Sequence, residues 1–304
     1  MTLKNSSPGY PRRAWNLLKR LSFRLENPPT IEKPSPSSWP DNRLTLSWLG
    51  HSTTLMNFLG TKILTDPALQ ERVGMRIVNQ IVIGPRRLVP PALSVAELPP
   101  LDLILISHAH LDHLDLETLN QLPKKVTIVV PARTSNILTD SGFDNVHELD
   151  WGNSVEVNGV KITAIKVDHS GARHPWEKAE KRGYNGYLVT KSGTSVFFAG
   201  DTADTRFSPS LCGVGVDIAI MGIGGYDPFV HSHATPEQVW EMSRTLNAHY
   251  ILPIHWGTFK LSEEPIEDPL RRLLAAAGNE AWRVVARGIG QTFVLPEESH
   301  HASA

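Results

Sequence analysis

Ser107-His108-Ala109-His110-Leu111-Asp112-His113-Leu114-Asp115 is the stretch on which the fold and the chemistry turn. It follows Leu101–Ile106, a continuous apolar run of the kind found in strands buried on both faces. His108 and His110 are two apart, so they share one side of an extended segment. Asp112 and His113 are adjacent at the start of the next helical pattern, where they can turn to a second metal position. Imidazole and carboxylate packed this densely suit a two-metal site. A lone histidine pair would be read as structural.

A two-metal site needs further ligands, and three residues are placed to supply them. His169 follows the strand pattern Lys161–Asp168, Asp201 follows Ser195–Ala199, and His255 follows Tyr250–Pro253. Each is polar and sits just past a strand pattern, so all can converge on one edge of the sheets. Any one alone reads as a loop residue with a satisfied hydrogen bond.

From Arg43 onward, short β-runs dominate. Leu44–Leu49, Thr54–Phe58 and Lys62–Leu64 read as a meander with Leu59-Gly60 as a turn. Thr127–Val130 is another strand. Ser154–Val157 and Lys161–Val167 flank Asn158-Gly159, and Tyr187–Thr190 and Ser195–Ala199 flank Ser192-Gly193, which makes two hairpins. Asp217–Met221, Tyr250–Pro253 and Thr292–Leu295 complete the strands. Helical patterns cover Leu114–Leu122, Arg133–Asp140, Pro236–Leu246 and Asp268–Ala277, with Thr235 as an N-cap and Gly278 as a C-cap. Hairpins first, then strands alternating with helices, predict two packed mixed sheets with helices outside.

The charge is balanced: Lys+Arg 30 against Asp+Glu 31 over 304 residues. With no global basic field, nucleic acid is not the expected partner. Cys212 is the single cysteine, so no intrachain disulfide forms, and with no base nearby it reads as structural. No stretch approaches the roughly 18 apolar residues of a membrane span. The N-terminus has no continuous apolar segment either, because Lys19, Arg20 and Arg24 interrupt it, and the expected compartment is the cytoplasm.

Residues 1–42 stand apart through Pro8, Pro11, Pro28, Pro29, Pro34, Pro36 and Pro40. A short basic helix over Ala14–Leu25 is expected, then an extended Pro/Ser segment lying on a surface. The helix suits packing on its own domain or on a second subunit of a homo-oligomer; peripheral membrane contact through residues 14–25 is the alternative. The expected division is an extension over 1–42, a catalytic domain over 43–296 and a polar tail over 297–304.

Further motifs complete a pattern: Trp48-Leu49-Gly50-His51-Ser52-Thr53, Leu64-Thr65-Asp66-Pro67, Gly84-Pro85-Arg86-Arg87 with Pro90-Pro91, and Gly222-Ile223-Gly224-Gly225-Tyr226. Others are His233 before Thr235-Pro236-Glu237, and Ile254-His255-Trp256-Gly257-Thr258-Phe259. With these, the sequence resembles the metallo-β-lactamase superfamily over roughly Arg43 to Leu295. Within it, the chain is most similar to the N-acyl-phosphatidylethanolamine phospholipase D-like hydrolases, with the ascorbate-6-phosphate lactonases as a neighbouring branch. The resemblance implies an α/β fold, a four-layer αββα sandwich. It implies that His108, His110 and His169 hold one metal, that Asp112, His113 and His255 hold the other, and that Asp201 bridges both. Zinc suits the imidazole-rich set, with manganese and iron as alternatives.

Two close divalent cations lower the pKa of a shared water, so hydroxide is available at neutral pH. Asp112 would also orient the nucleophile or move a proton. The expected reaction is hydrolysis of a phosphodiester such as an N-acyl phospholipid. Lactone or ester hydrolysis is the alternative. A non-catalytic metal-binding module is a third reading, disfavoured because structural zinc sites are usually closed by four ligands.

Several residues remain to be placed. Asp66 is either an acceptor for a ligand imidazole or an Asx-turn before Pro67. His51 either faces the site floor or is a turn residue. His233 precedes a helix N-terminus, where a phosphate can be held, and the resemblance puts it in a substrate-contacting loop. Arg86 and Arg87 read as a solvated pair, with an anionic headgroup as the alternative. Trp176, Tyr184 and Tyr187 read as core more than pocket. His147, His174, His249, His300 and His301 read as surface or core.

Overall fold

The computed structural model describes residues 31–77, 81–174, 176–213 and 215–297. Strands β1 (Leu44–Gly50), β2 (Thr53–Phe58) and β3 (Thr61–Thr65) pair antiparallel as the meander requires. β4 (Met75–Arg76) and β5 (Val82–Ile83) form a small separate hairpin. β6 (Leu103–Leu105), β7 (Thr127–Pro131) and β8 (Val146–Leu149) extend the sheet in parallel from β3. β9 (Ser154–Val157), β10 (Val160–Ile165), β11 (Gly186–Lys191) and β12 (Thr194–Phe198) are the two expected hairpins. β13 (Val216–Gly222) and β14 (Ala248–Ile254) join them in parallel, and β15 (Thr292–Val294) pairs with β1. The result is a seven-stranded sheet, β15-β1-β2-β3-β6-β7-β8, and a six-stranded sheet, β14-β13-β12-β11-β10-β9.

Both sheets contribute to one core. Leu46, Trp48, Leu55, Ile104 and Val129 from the first are fully buried with Tyr187, Phe197, Ile218 and Ile220 from the second. β6 and β7 are apolar without alternation because both of their faces are covered.

Helices α1 (Leu116–Gln121), α2 (Pro209–Cys212), α3 (Pro236–Thr245) and α4 (Asp268–Ala277) lie between strands. α3 starts where Thr235 and Gln238 form a reciprocal capping box behind Pro236. α4 ends at Gly278, whose φ of +53 is easily reached by glycine.

Strand direction explains where the site lies. β1 and β3 run parallel to β6, since each is antiparallel to β2 or parallel to β6. By the same count β10, β12, β13 and β14 share one direction. His51, Asp66 and the His108–His113 loop leave the C-terminal ends of β1, β3 and β6; His169, Asp201 and His255 leave those of β10, β12 and β14. Ligands in mixed and parallel sheets gather at such strand ends.

Some expectations need correction. The segment after Arg133 is a 3-10 helix over Ser135–Ser141, because the Glu148 carboxylate takes the N–H groups of Arg133, Thr134 and Ser135 and tightens the turn. α1 begins at Leu116, with Asp115 as its N-cap, so Asp112 and His113 sit in the turn before the helix. β8 was hidden by His147 and Glu148, polar residues on an edge strand. Trp39, within the Pro/Ser segment, is buried in the core, and the Glu32 N–H donates to Ile289 O. The expected helix over Ala14–Leu25, and His300 and His301, lie outside the described residues.

Candidate metal centre

The loop after β6 turns tightly: the N–H groups of His113 and Leu114 both donate to His110 O. Arg173 Nη1 donates to the carbonyls of Ala109 and Leu114, 3.0 Å each, and clamps the loop on both sides. From below, Asp66 accepts the Ser107 N–H at 2.7 Å, the Ser107 hydroxyl at 2.5 Å and His113 Nδ1–H at 2.7 Å. Gly200 lets the β12 loop approach, since a Cβ there would stand 2.4 Å from Ser107 Cβ.

These contacts fix the imidazole tautomers. The Ser107 hydroxyl donates to Asp66, so it accepts from His108 Nδ1–H at 2.9 Å. His169 Nδ1–H donates to Ser232 O at 2.9 Å, and His255 Nδ1–H to Gly224 O at 3.3 Å. With His113 bound to Asp66, these histidines turn Nε2 lone pairs inward, as metal-bound histidine does when its other nitrogen is held by an acceptor. His110 faces inward by Nδ1, 2.8 Å from His108 Nε2 and 3.3 Å from His169 Nε2. Nitrogens this close need a proton or a cation between them.

Asp201 stands in the middle. Its Oδ2 lies 3.1 Å from both His113 Nε2 and His255 Nε2, 3.8 Å from His169 Nε2 and 3.9 Å from His108 Nε2. Asp112 Oδ2 lies 3.7 Å from the Nε2 atoms of His113 and His255 and accepts from His51 Nε2–H at 2.9 Å. Among the described residues, four overlapping sets of ligand atoms form, each within 4.8 Å: His108, His110, His169 and Asp201; His51, Asp112, His113 and His255; Asp66, His108 and His113; and Asp201, His233 and His255.

The fit to cations rests on orphaned atoms. His113 Nε2, His255 Nε2 and Asp201 Oδ1 are buried without a hydrogen-bond partner. Such groups are costly unless something charged satisfies them. The electrostatics agree. Burial opposes charge on Asp201 and Asp112, but the imidazoles around them, His113 foremost, hold both carboxyls well below the usual range. Burial likewise opposes charge on His113 and His255; Asp201 and Asp112 outweigh it, raising His113 well above its ordinary value and His255 to about 9. The cluster draws positive charge onto the atoms that face its centre. Burial keeps His108 and His169 well down, hence neutral and able to ligate.

Of the remaining expectations, His233 lines the site, with Nδ1 3.7 Å from Asp201 Oδ2. Arg86 and Arg87 are not a solvated pair. Arg86 pairs with Glu71, while Arg87 is buried over Phe259 and donates to Ala68 O and Gln70 O, which holds the β3–β4 connection. Tyr187 is buried core, its hydroxyl donating to Ile106 O. Trp176 is exposed and stacks on His174; Tyr184 meets Trp151 edge-on. Sequence reasoning missed Ser107, Arg173, Thr258 and Glu264. Glu264 accepts the N–H groups of Gly225 and Asp227 and so shapes the loop whose Gly224 carbonyl orients His255. The one visible signal was that Ser107 and Thr258 lie inside the quoted motifs.

Two cavities open on the centre. One of about 540 Å³ is walled by His169, Ser170, Phe229, His231 and His233. The other, about 390 Å³, is apolar, walled by Val73, Ile83, Pro85, Leu111, Ala172 and Leu261 with Arg173 and His174. They meet at His110, Asp112 and Leu261. Among the described residues no helix is long and apolar enough to cross a membrane.

Residues 61–256 match the family model of the beta-lactamase superfamily domain. With its paired mixed sheets and its His/Asp clusters for divalent metal ions, the chain belongs to the metallo-β-lactamase superfamily, as a metal-dependent hydrolase. Its relatives narrow the branch to that of the N-acyl-phosphatidylethanolamine-hydrolyzing phospholipases D. Phospholipase D 1 of this type from Caenorhabditis elegans is 30% identical over 285 residues, covering 83% of this chain and 78% of that protein. The mitochondrial enzyme of Saccharomyces cerevisiae is 31% identical over 262 residues, 81% of this chain and 55% of that protein. The structure of an isothiocyanate hydrolase from Delia radicum gut bacteria shares the fold, with a TM-score of 0.65 at 20% identity over 82% of this chain and 98% of that one.

Proposed function

We propose that the protein hydrolyses a phosphodiester, with an N-acyl phospholipid as the lead substrate. His108, His110 and His169 would hold one zinc ion, Asp112, His113 and His255 the other, and Asp201 both. Manganese or iron fits the same donors less well, because imidazole outnumbers carboxylate. Such cations supply an activated water and neutralise charge on phosphoryl oxygens.

The chain's own residues do the rest. Asp112 is the carboxylate that lines both cavities, so it can orient a nucleophilic water and take its proton. Burial pushes His233 down to about 4, so it meets the substrate as a neutral imidazole and can donate an N–H to a phosphoryl oxygen. No side-chain nucleophile is needed; Cys212 lies half-buried with Sγ near Phe207 O.

The observation that carries the substrate reading is the pair of cavities joined at His110 and Asp112. The larger one, with His169, Ser170, His231 and His233 on its wall, suits a phosphate and headgroup, and the apolar one an acyl chain. The names of the two phospholipase relatives support the same reading. Contact of residues 14–25 with a lipid surface or a second subunit, and action in the cytoplasm, belong to this proposal. Turnover of a bis-aryl phosphodiester, an N-acyl phospholipid, a lactone and a β-lactam tests it. Preferred turnover of the phospholipid is expected; preferred turnover of the lactone would hand the site to the lactonase reading.

A further inference from the structure

We infer that His51 is a positioning residue of the centre, its side chain setting the Asp112 carboxylate for one of the two cations. The inference rests on the proposed two-cation reading and goes beyond it, since His51 is none of the proposed ligands.

His51 is 1% exposed and sits in the turn between β1 and β2. Its φ of +52 is a left-handed conformation that few side chains adopt without strain. The surroundings hold it there. Its N–H donates to Thr258 Oγ1 at 2.7 Å, and its carbonyl accepts Trp48 Nε1–H at 2.7 Å and the His255 N–H at 2.9 Å. Its ring is wedged between those of His255 and Phe259, with centroids 4.3 Å and 5.1 Å away. The turn after β1 and the loop after β14 are thereby locked together.

Held this way, Nε2 reaches Asp112 Oδ2 at 2.9 Å. That same oxygen faces the Nε2 atoms of His113 and His255, 3.7 Å from each. An ionised carboxylate only accepts, so His51 Nε2 carries the proton and is not free to ligate. Asp112 is half-buried beside both cavities, and His51 Nε2–H is the donor that fixes its rotation. The bond from the His255 N–H is accepted by the backbone carbonyl at position 51, not by the side chain, so the side-chain role is separable.

The test titrates the metal-free full-length protein with zinc against a chromophoric chelator. His51→Asn tolerates positive φ, but its amide is too short to reach Asp112; in His51→Gln the amide nitrogen falls near the position of Nε2. Wild type should bind two equivalents. His51→Asn should weaken one of them roughly 10- to 100-fold and leave the other unchanged, and His51→Gln should recover part of that loss. Thermal unfolding of both metal-free variants checks that they fold. Two equivalents at wild-type affinity in His51→Asn would overturn the positioning role alone. Equal weakening of both equivalents in both variants would also overturn it, as general damage. Wild type binding no zinc would overturn the two-cation reading and this inference with it.

Discussion

The two halves of the centre are built differently. In the half with Asp112, His113 and His255 the imidazoles are closed off: His113 and His255 are at most 4% exposed, with Asp66 and Asp112 among their neighbours, while Asp112 itself is half-buried and lines both cavities. In the half with His108, His110 and His169, His108 is just as buried and the opening is at His110 and His169. His110 is half-buried, lines both cavities, and has its contacts among the other imidazoles; His169 is held by a single backbone carbonyl, Ser232 O. A closed half suits tenacious binding, and an open half suits exchange and contact with substrate.

The harshest way to break this comparison is to remove the ions. Chelation should abolish turnover, and zinc or manganese should restore it. Metal content followed against chelator concentration should fall in two steps, the open half first. A single cooperative loss would mean that the halves are equivalent. Asp201→Asn comes next. The amide keeps the shape but loses the charge that both halves share, and turnover of a bis-aryl phosphodiester should fall roughly 100- to 1000-fold. Elemental analysis showing full occupancy with near-normal turnover would remove Asp201 from the bridging position.

Asp66→Asn sharpens the comparison from the closed side. Asp66 is fully buried and satisfies Ser107 twice and His113 once. An amide nitrogen in place of Oδ2 faces two donors with none to accept it. A loss of about 1–3 kcal/mol in stability is expected, measured by denaturant unfolding, together with weaker binding above all of the closed-half cation; the other half should lose less, because it is reached only through the Ser107 hydroxyl to His108. Equal loss at both halves would show that Asp66 supports the whole loop and not His113 in particular. A milder effect is expected at the apolar cavity. Ile83→Asp, on the wall of that cavity and away from the ligand loop, should cut turnover of long-chain phospholipid while leaving the bis-aryl phosphodiester nearly unchanged. Parallel losses on both substrates would detach that cavity from acyl binding.

What the sequence made legible follows one rule. A polar residue just past an apolar strand run marked His108, His169, Asp201 and His255, because every strand that feeds the site ends on the same edge. Both hairpins were readable from Asn158-Gly159 and Ser192-Gly193, where Asn158, Gly159, Ser192 and Gly193 all take positive φ. The supporting contacts were not readable in this way. Arg173 acts on carbonyls some 60 positions away, and Glu264 on N–H groups about 40 away. Nothing local distinguishes such residues from surface charges. Arg87 shows the same limit: beside Arg86 in a Pro/Gly frame it looks solvated, yet it is buried against Phe259 and backbone carbonyls.

The smallest effect is expected at the N-terminus, and the structure decides where to cut. A truncation near Asp41 would delete Trp39, which is buried in the core; Trp39→Ala alone should cost about 3 kcal/mol. It would also delete Pro34, likewise buried, and the Glu32 contact to Ile289 O. Loss of activity in that variant would report instability and say nothing about chemistry. A chain starting at Ile31 keeps these contacts and removes Trp15, Leu17, Leu18, Leu21 and Phe23 with Arg13, Lys19, Arg20 and Arg24. Every proposed ligand lies at or beyond His108, so turnover of a soluble phosphodiester should change less than about twofold, within the range of surface changes. Each basic residue removed should weaken binding to anionic vesicles by about 1 kcal/mol if this segment meets lipid. Unchanged vesicle binding with a smaller oligomer by light scattering would assign the segment to a subunit interface. Loss of zinc binding by a folded chain starting at Ile31 would show that the centre depends on residues before position 31.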